Sequence, residues 1–211
     1  MAGATGLVGQ AVLAALLADK RYAAVHCVGR RPPALKHPNL HAHVLELASL
    51  KSLPGIAHVD DVFIALGTTI KVAGSQAAFR AVDFDAVVAV AGAAKKIGAS
   101  RLGVVSAMGA SPTSSVFYSR VKGEMEQALT QLGYRTLVIA RPSMLAGDRA
   151  ALAQPERLGE HIALIATRWL KPMIPANYRT IAGEAVAQAL ISAVQQAKEG
   201  KRVLLSGEMQ P

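Results

Sequence analysis

Gly3-Ala4-Thr5-Gly6-Leu7-Val8-Gly9 decides how this chain is read. Glycines recur every third residue and lead straight into an apolar, helix-like segment. Glycine permits the positive φ of a tight turn and removes the Cβ that would keep a pyrophosphate off the backbone. The helix start after the turn supplies free N–H donors and the positive end of a dipole. The third glycine lets the helix lie close to a sheet. The spacing is not the GxGxxG of the dinucleotide fingerprint, and taken alone it is a glycine turn in a chain rich in alanine and glycine.

The alternation of elements beyond the turn gives it its weight. Leu7 to Lys20 is a predicted helix, with Val8, Val12, Leu13, Leu16 and Leu17 at three- and four-residue spacing. Ala24–Val28, Leu40–Leu47, Asp61–Leu66, Arg101–Val105, Arg135–Ala140 and Val203–Leu205 are short apolar runs read as strands. Ser75–Ile97, Ser115–Leu132 and two segments at about 156–170 and 183–198 read as helices. Buried strands alternating with helices imply βαβ units. The expected fold is therefore α/β, a Rossmann-like doubly wound parallel sheet with helices on both faces. One domain spans 1–211, with residues about 143–182 as a small capping extension on the substrate side. The strand that should feed the glycine turn is reduced to Met1-Ala2, a first strand truncated at the N-terminus. Lys201–Leu205 has the composition to stand in for it, although its place suits a C-terminal strand.

Composition narrows the function. The chain has 211 residues, 52% of them hydrophobic and 18% charged, which argues against disorder. No apolar run reaches the roughly 18–20 residues of a membrane-spanning helix, so no membrane insertion is expected. No leader-like start is visible, and the single cysteine, Cys27, suits a reducing compartment; the expected location is cytoplasmic. The 23 basic and 14 acidic residues leave a net charge of +9, which suits a phosphate-bearing cofactor as well as nucleic acid. The basic residues form no stripe and no helix-turn-helix appears, so no nucleic-acid partner is expected. His37, His41 and His43 lack a cysteine or a carboxylate set nearby, and no metal site is expected.

Two further stretches carry chemistry. Gly29-Arg30-Arg31 ends the second strand, where the adenosine ribose of a dinucleotide would lie. An acidic residue there accepts the 2′-hydroxyl of NAD, whereas guanidiniums pair with the 2′-phosphate of NADP(H). The alternative is a solvated basic turn. Tyr118-Ser119-Arg120-Val121-Lys122 sets a phenol and an ammonium one helical turn apart. A nearby cation favours the phenolate and fits the tyrosine for proton transfer. The alternative is a surface pair.

These motifs, in this order, resemble an atypical short-chain dehydrogenase/reductase of the Tat-interacting-protein-like branch. Leu66-Gly67-Thr68-Thr69, Phe79-Arg80-Ala81-Val82-Asp83, Gly123-Glu124 after the Tyr–Lys pair, and Arg141-Pro142 complete the resemblance, which runs from residue 3 to about 149. It implies an NADP-dependent oxidoreductase that passes hydride between NADPH and a carbonyl or related small-molecule substrate. A non-catalytic, redox-sensing NADP(H)-binding protein of the same fold is the alternative. Gly3, Thr5, Gly6, Leu7, Val8 and Gly9 would hold the pyrophosphate and Arg30 and Arg31 the 2′-phosphate. Leu66 and Gly67 would lie along the adenosine or the central ribose, and Leu145 would wall the nicotinamide. Tyr118 would transfer the proton, with Lys122 as its electrostatic partner and as a hydrogen-bond donor to the nicotinamide ribose. Ser106 would polarise the substrate oxygen. The family often has a Ser-Ser pair where this chain has Ser106-Ala107, which leaves two alternatives open beside Ser106: no such hydroxyl, or one supplied by Ser111. Asp83 stands where relatives often place an asparagine that organises a relay water. A homodimer is the other association considered.

Overall fold

The structure is a computed structural model that describes residues 1–146, 175–196 and 198–210. Its strands are β1 (Val25–Gly29), β2 (Leu40–Val44), β3 (Asp61–Ile64), β4 (Arg101–Val105), β5 (Thr136–Arg141), β6 (Leu145–Ala146), β7 (Ile181–Ala182) and β8 (Gly200–Leu205). β1 pairs with β2, and β3, β4, β5 and β8 pair in that order, every ladder parallel. β6 and β7 form a separate parallel pair of two residues each.

The glycine turn explains how the two ladders join. Ala2 bridges Val28 on one side and Ile64 on the other. Its N–H donates to the Phe63 carbonyl at 2.9 Å, and its own carbonyl accepts from Ala65 at 2.9 Å. The Met1 carbonyl accepts from Val28, also at 2.9 Å. Two residues thus occupy the centre of a doubly wound sheet, between β1 and β3, and Ala2 is fully buried. The Met1 nitrogen donates to the His26 carbonyl there. Lys201–Leu205 does not fill the centre. It lies in β8, paired with β5 at the far edge from β2.

Helices α1 (Leu7–Ala18), α2 (Ile70–Ala73), α3 (Gln76–Arg80), α4 (Ala86–Lys96), α5 (Phe117–Gln131) and α6 (Gly183–Gln196) complete the described fold. Val8, Val12, Leu13 and Leu16 of α1 pack with Val186, Leu190 and Val194 of α6 on one face. Val87, Val90 and Ala94 of α4 pack with Met125 and Leu129 of α5 on the other. Each fully buried Leu or Val contributes about 1.5–3 kcal/mol. The inner strands β3, β4 and β5 are largely apolar because both of their faces meet helices, whereas the edge strands β2 and β8 are mostly exposed and carry polar residues.

The helix expected over 75–97 is present as an unbroken helical run from Gln76 to Lys96, with a π-turn in its middle. Ser75 caps α3 by accepting from the Ala78 N–H at 3.1 Å, and a π-helical stretch, Ala81–Asp85, then joins α3 to α4. A π-turn inserts extra backbone into the helical register and rotates the turns after it. A smaller difference precedes it: Thr69 caps a short α2 that apolar periodicity did not show. The helix expected at about 156–170, Trp169 and most of the capping extension lie outside the described residues.

Candidate functional site

The glycine turn lies at the C-terminal end of the sheet's centre. Gly3 takes φ +88°, and the Gly6 N–H donates back to its carbonyl at 3.1 Å. Gly6 is the N-cap of α1 in an extended conformation and has no side chain to satisfy the first-turn amides. A Cβ on Gly9 would fall 1.8 Å from the Gly3 carbonyl oxygen, and one on Gly3 would fall 2.4 Å from the Ala65 oxygen. A Cβ on Gly6 would meet nothing closer than 3.6 Å. Gly3 and Gly9 are therefore required by the chain itself. Gly6 is open on its outer side, which leaves a bare, donor-rich cradle that fits a diphosphate.

Arg30 and Arg31 leave the C-terminal end of β1, the strand next to the turn. Both are exposed, and among the described residues neither has an ion-pair partner. Leu66 and Gly67 lie just past β3, the strand on the turn's other side, with Leu66 half-buried and Gly67 exposed.

Helix α5 carries a ladder of polar groups one turn apart. Tyr118 is half-buried, its ring 5.4 Å from that of Phe79. One turn on, Lys122 is only 3% exposed, and its Nζ lies 2.7 Å from Oδ1 of Asp83, itself wholly buried. The second carboxylate oxygen of Asp83 accepts from the Thr68 N–H at 2.9 Å. The Lys122–Asp83 approach is a close ion pair more than an aligned hydrogen bond, since Oδ1 has no well-oriented donor. Burial pushes the Asp83 carboxyl up from its ordinary range, and the Lys122 charge opposes that rise.

Another turn on, Glu126 is buried and accepts two hydrogen bonds from Arg141, Nε to Oε1 at 3.0 Å and Nη2 to Oε2 at 2.6 Å. Ser106, at the end of β4, donates its hydroxyl to Oε1 of the same carboxylate at 2.5 Å. The assignment of Ser106 as the group that polarises a substrate oxygen meets a physical obstacle here. A hydroxyl whose proton goes to a carboxylate offers a ligand lone pairs only. Ser111, the alternative source of that hydroxyl, has its oxygen 3.1 Å from that of Thr113. Leu145 lies in β6, half-buried and packed against the α1/α6 side of the core.

Sequence reasoning missed Glu126 and the pairing of Asp83 with Lys122. Glu126 could have been found, because it stands eight residues after Tyr118 and so shares its helical face. No local signal marks the π-turn that presents Asp83, since Ala81–Asp85 has the composition of ordinary helix.

The sequence profile of the family described as NAD(P)H-binding matches residues 3–197. The chain belongs to that NAD(P)H-binding family. The motif resemblance to atypical short-chain dehydrogenase/reductases agrees with it. Among similar proteins of this NAD(P)H-binding chain are two named "Protein FMP52, mitochondrial". That of Chaetomium globosum is 32% identical over 94% of this chain and 87% of its own length. That of Coccidioides immitis is 33% identical over 94% and 85%. Solved structures share the fold at lower identity. A short chain dehydrogenase family protein from Francisella tularensis has a TM-score of 0.67 at 16% identity, covering 98% of this chain and 96% of that one. The Bordetella bronchiseptica enzyme WbmH, solved in complex with NAD+, has 0.69 at 18%, covering 97% and 74%.

The relatives' names correct one expectation. They are mitochondrial, which points away from the cytoplasmic location expected from the sequence. A lone cysteine reports on redox conditions, not on which reducing compartment holds the protein.

Proposed function

We propose that this family member is an NADP(H)-dependent oxidoreductase acting on a carbonyl or related small molecule. The observation that carries the reading is the placement of the Tyr118–Lys122 pair. Lys122 Nζ would lie 3.9 Å from a Cβ on Gly67, at the same C-terminal sheet edge as the glycine turn. Ligands of doubly wound sheets bind across that edge.

In this reading the amides from Thr5 to Val8 bind the pyrophosphate, with Gly3 and Gly9 shaping the turn beneath. Arg30 and Arg31 take the 2′-phosphate through paired, charge-assisted hydrogen bonds, which a carboxylate at that place would repel. Leu66 and Gly67 line a ribose, and Leu145 supplies an apolar wall. When bound, the nicotinamide supplies or accepts the hydride. Tyr118 gives its proton to the carbonyl oxygen during reduction, and Lys122 donates to the ribose and stabilises the phenolate left behind. Ser106 serves the scaffold through Glu126 and Arg141.

A second reading, a non-catalytic protein that senses the redox state of NADP(H), is favoured by two observations: the Ser106 proton goes to Glu126, and the Lys122 charge is matched by Asp83. One experiment separates the two. NADPH fluorescence should change on adding the protein under either reading. Consumption of NADPH with a panel of aldehydes, ketones and quinones, reduced at least ~100-fold by Tyr118→Phe, belongs to the enzyme alone. Binding with no turnover across the panel, or equal turnover in the variant, removes Tyr118 from the chemistry.

A further inference from the structure

Asp83 combines three properties. It is fully buried, it neighbours the open end of the sheet, and its two oxygens are divided between different tasks. Oδ2 pins the backbone after β3 through Thr68 N–H. Oδ1 faces the Lys122 ammonium and has no well-oriented donor of its own. The π-turn at Ala81–Asp85 is the device that presents this carboxylate, and such turns cluster at functional positions. Gly67 lies against the pair without a side chain, for a Cβ there would stand 3.6 Å from Oδ1 and 3.9 Å from Nζ.

We infer that Asp83 is the positioning residue of the site: it holds Lys122 at the end of β3 and cancels its charge, so that the pocket does not penalise the cationic ring of an oxidised nicotinamide cofactor. The inference rests on the NADP(H)-binding reading of the site. An uncompensated ammonium in a dry pocket would repel that ring and leave the neutral ring of the reduced form unaffected. A charge-balanced pair acts on both only as a dipole. Asp83 thereby sets how closely matched the two oxidation states are in affinity, a property that serves a reversible reductase and a redox sensor alike.

Asp83→Asn keeps the shape and one acceptor oxygen, which can serve Thr68 N–H, puts an NH2 where Oδ1 faced Lys122, and removes the charge. Titration of the full chain with NADPH by fluorescence, and with NADP+ by competition, measures both affinities. In Asp83→Asn, NADPH binding should stay within about threefold of wild type. The ratio of the NADP+ to the NADPH dissociation constant should rise at least about fivefold, as expected for one added charge at close range. The neutral pair Asp83→Asn/Lys122→Met should bring the ratio back to within about twofold of wild type even where both affinities weaken, which keeps the inference testable if Asp83→Asn does not fold; a ratio still raised there would overturn it. An unchanged ratio in a folded Asp83→Asn, or an equal loss of both affinities, would overturn the charge role and leave the cofactor reading standing. A wild-type chain that binds neither form would overturn both.

Discussion

Substituting the three glycines of the turn by alanine, one at a time, separates what the fold needs from what a ligand needs. At Gly9 the new Cβ would stand 1.8 Å from the Gly3 oxygen and 2.6 Å from the Gly3 carbonyl carbon. Both are backbone atoms, so no rotamer change relieves the clash. Movement of Gly3 would strain the Gly6-to-Gly3 bond at 3.1 Å and the Ala2 bridge between β1 and β3. Overpacking at about 1–3 kcal/mol, with roughly 1 kcal/mol for each bond weakened, gives a loss of about 3–5 kcal/mol. In a chain of this size that is a fall in Tm of roughly 6–20 °C. At Gly6 the nearest atoms to a Cβ are the Gly3 oxygen at 3.6 Å and the Ala65 oxygen at 4.0 Å, with φ at an ordinary −86°. Gly6→Ala should melt within about 1 kcal/mol of wild type, because Gly-to-Ala exchange at a compatible site changes stability by no more than that. It should nevertheless bind NADPH at least ~100-fold more weakly, since its methyl would fill the place assigned to the pyrophosphate. Differential scanning fluorimetry with NADPH titration reads both quantities on the same samples. A Gly6→Ala protein with native affinity would show that the diphosphate does not lie over this turn. A Gly9→Ala protein with native Tm would show that the turn is not packed as described.

Charge reversal of Arg30 and Arg31 to Glu should abolish a preference for NADPH over NADH in the same titration, and a preserved preference would refute their role. Replacement of Lys122 by Met leaves the buried Asp83 without its cation and should cost about 3–5 kcal/mol in urea unfolding, whereas the Lys122→Met/Asp83→Leu pair should recover most of it; additive losses would mean that the two groups do not interact. His26 and His43 touch through Nδ1 and Nε2 at 3.0 Å, with His41 stacked on His26. Desolvation first, then the neighbouring imidazoles, lowers the folded-state pKa of His26 and of His43 below 6.5. The unfolded chain therefore takes up protons first, and stability should fall as the pH drops through about 6.5. His26→Gln/His43→Gln should flatten urea midpoints between pH 7.5 and 5.5, and an equal slope in that variant would refute the assignment.

The doubly wound sheet was legible because its signals are local. The inner strands are short runs apolar on both faces, the long helices repeat their apolar residues at three or four, and the glycines stand before a helix. The Tyr118–Lys122 spacing was legible for the same reason, since i and i+4 share a helical face whatever surrounds them. The environment of those side chains was not local. That Asp83 meets Lys122 depends on a π-turn in a stretch whose composition is plain helix. That Ser106 gives its proton to Glu126 depends on β4 and α5 packing side by side. The amino-acid order by itself determined the alternation of elements, the glycine turn and the candidate residues. Only the tertiary structure decided that Ala2 lies at the centre of the sheet, bridging β1 and β3, that Lys201–Leu205 belongs at its edge, and which polar groups are neutralised. The physical reason is that periodicity and turn chemistry act over a few neighbouring residues, whereas hydrogen bonds and ion pairs between distant segments exist only after packing has brought them together and excluded water.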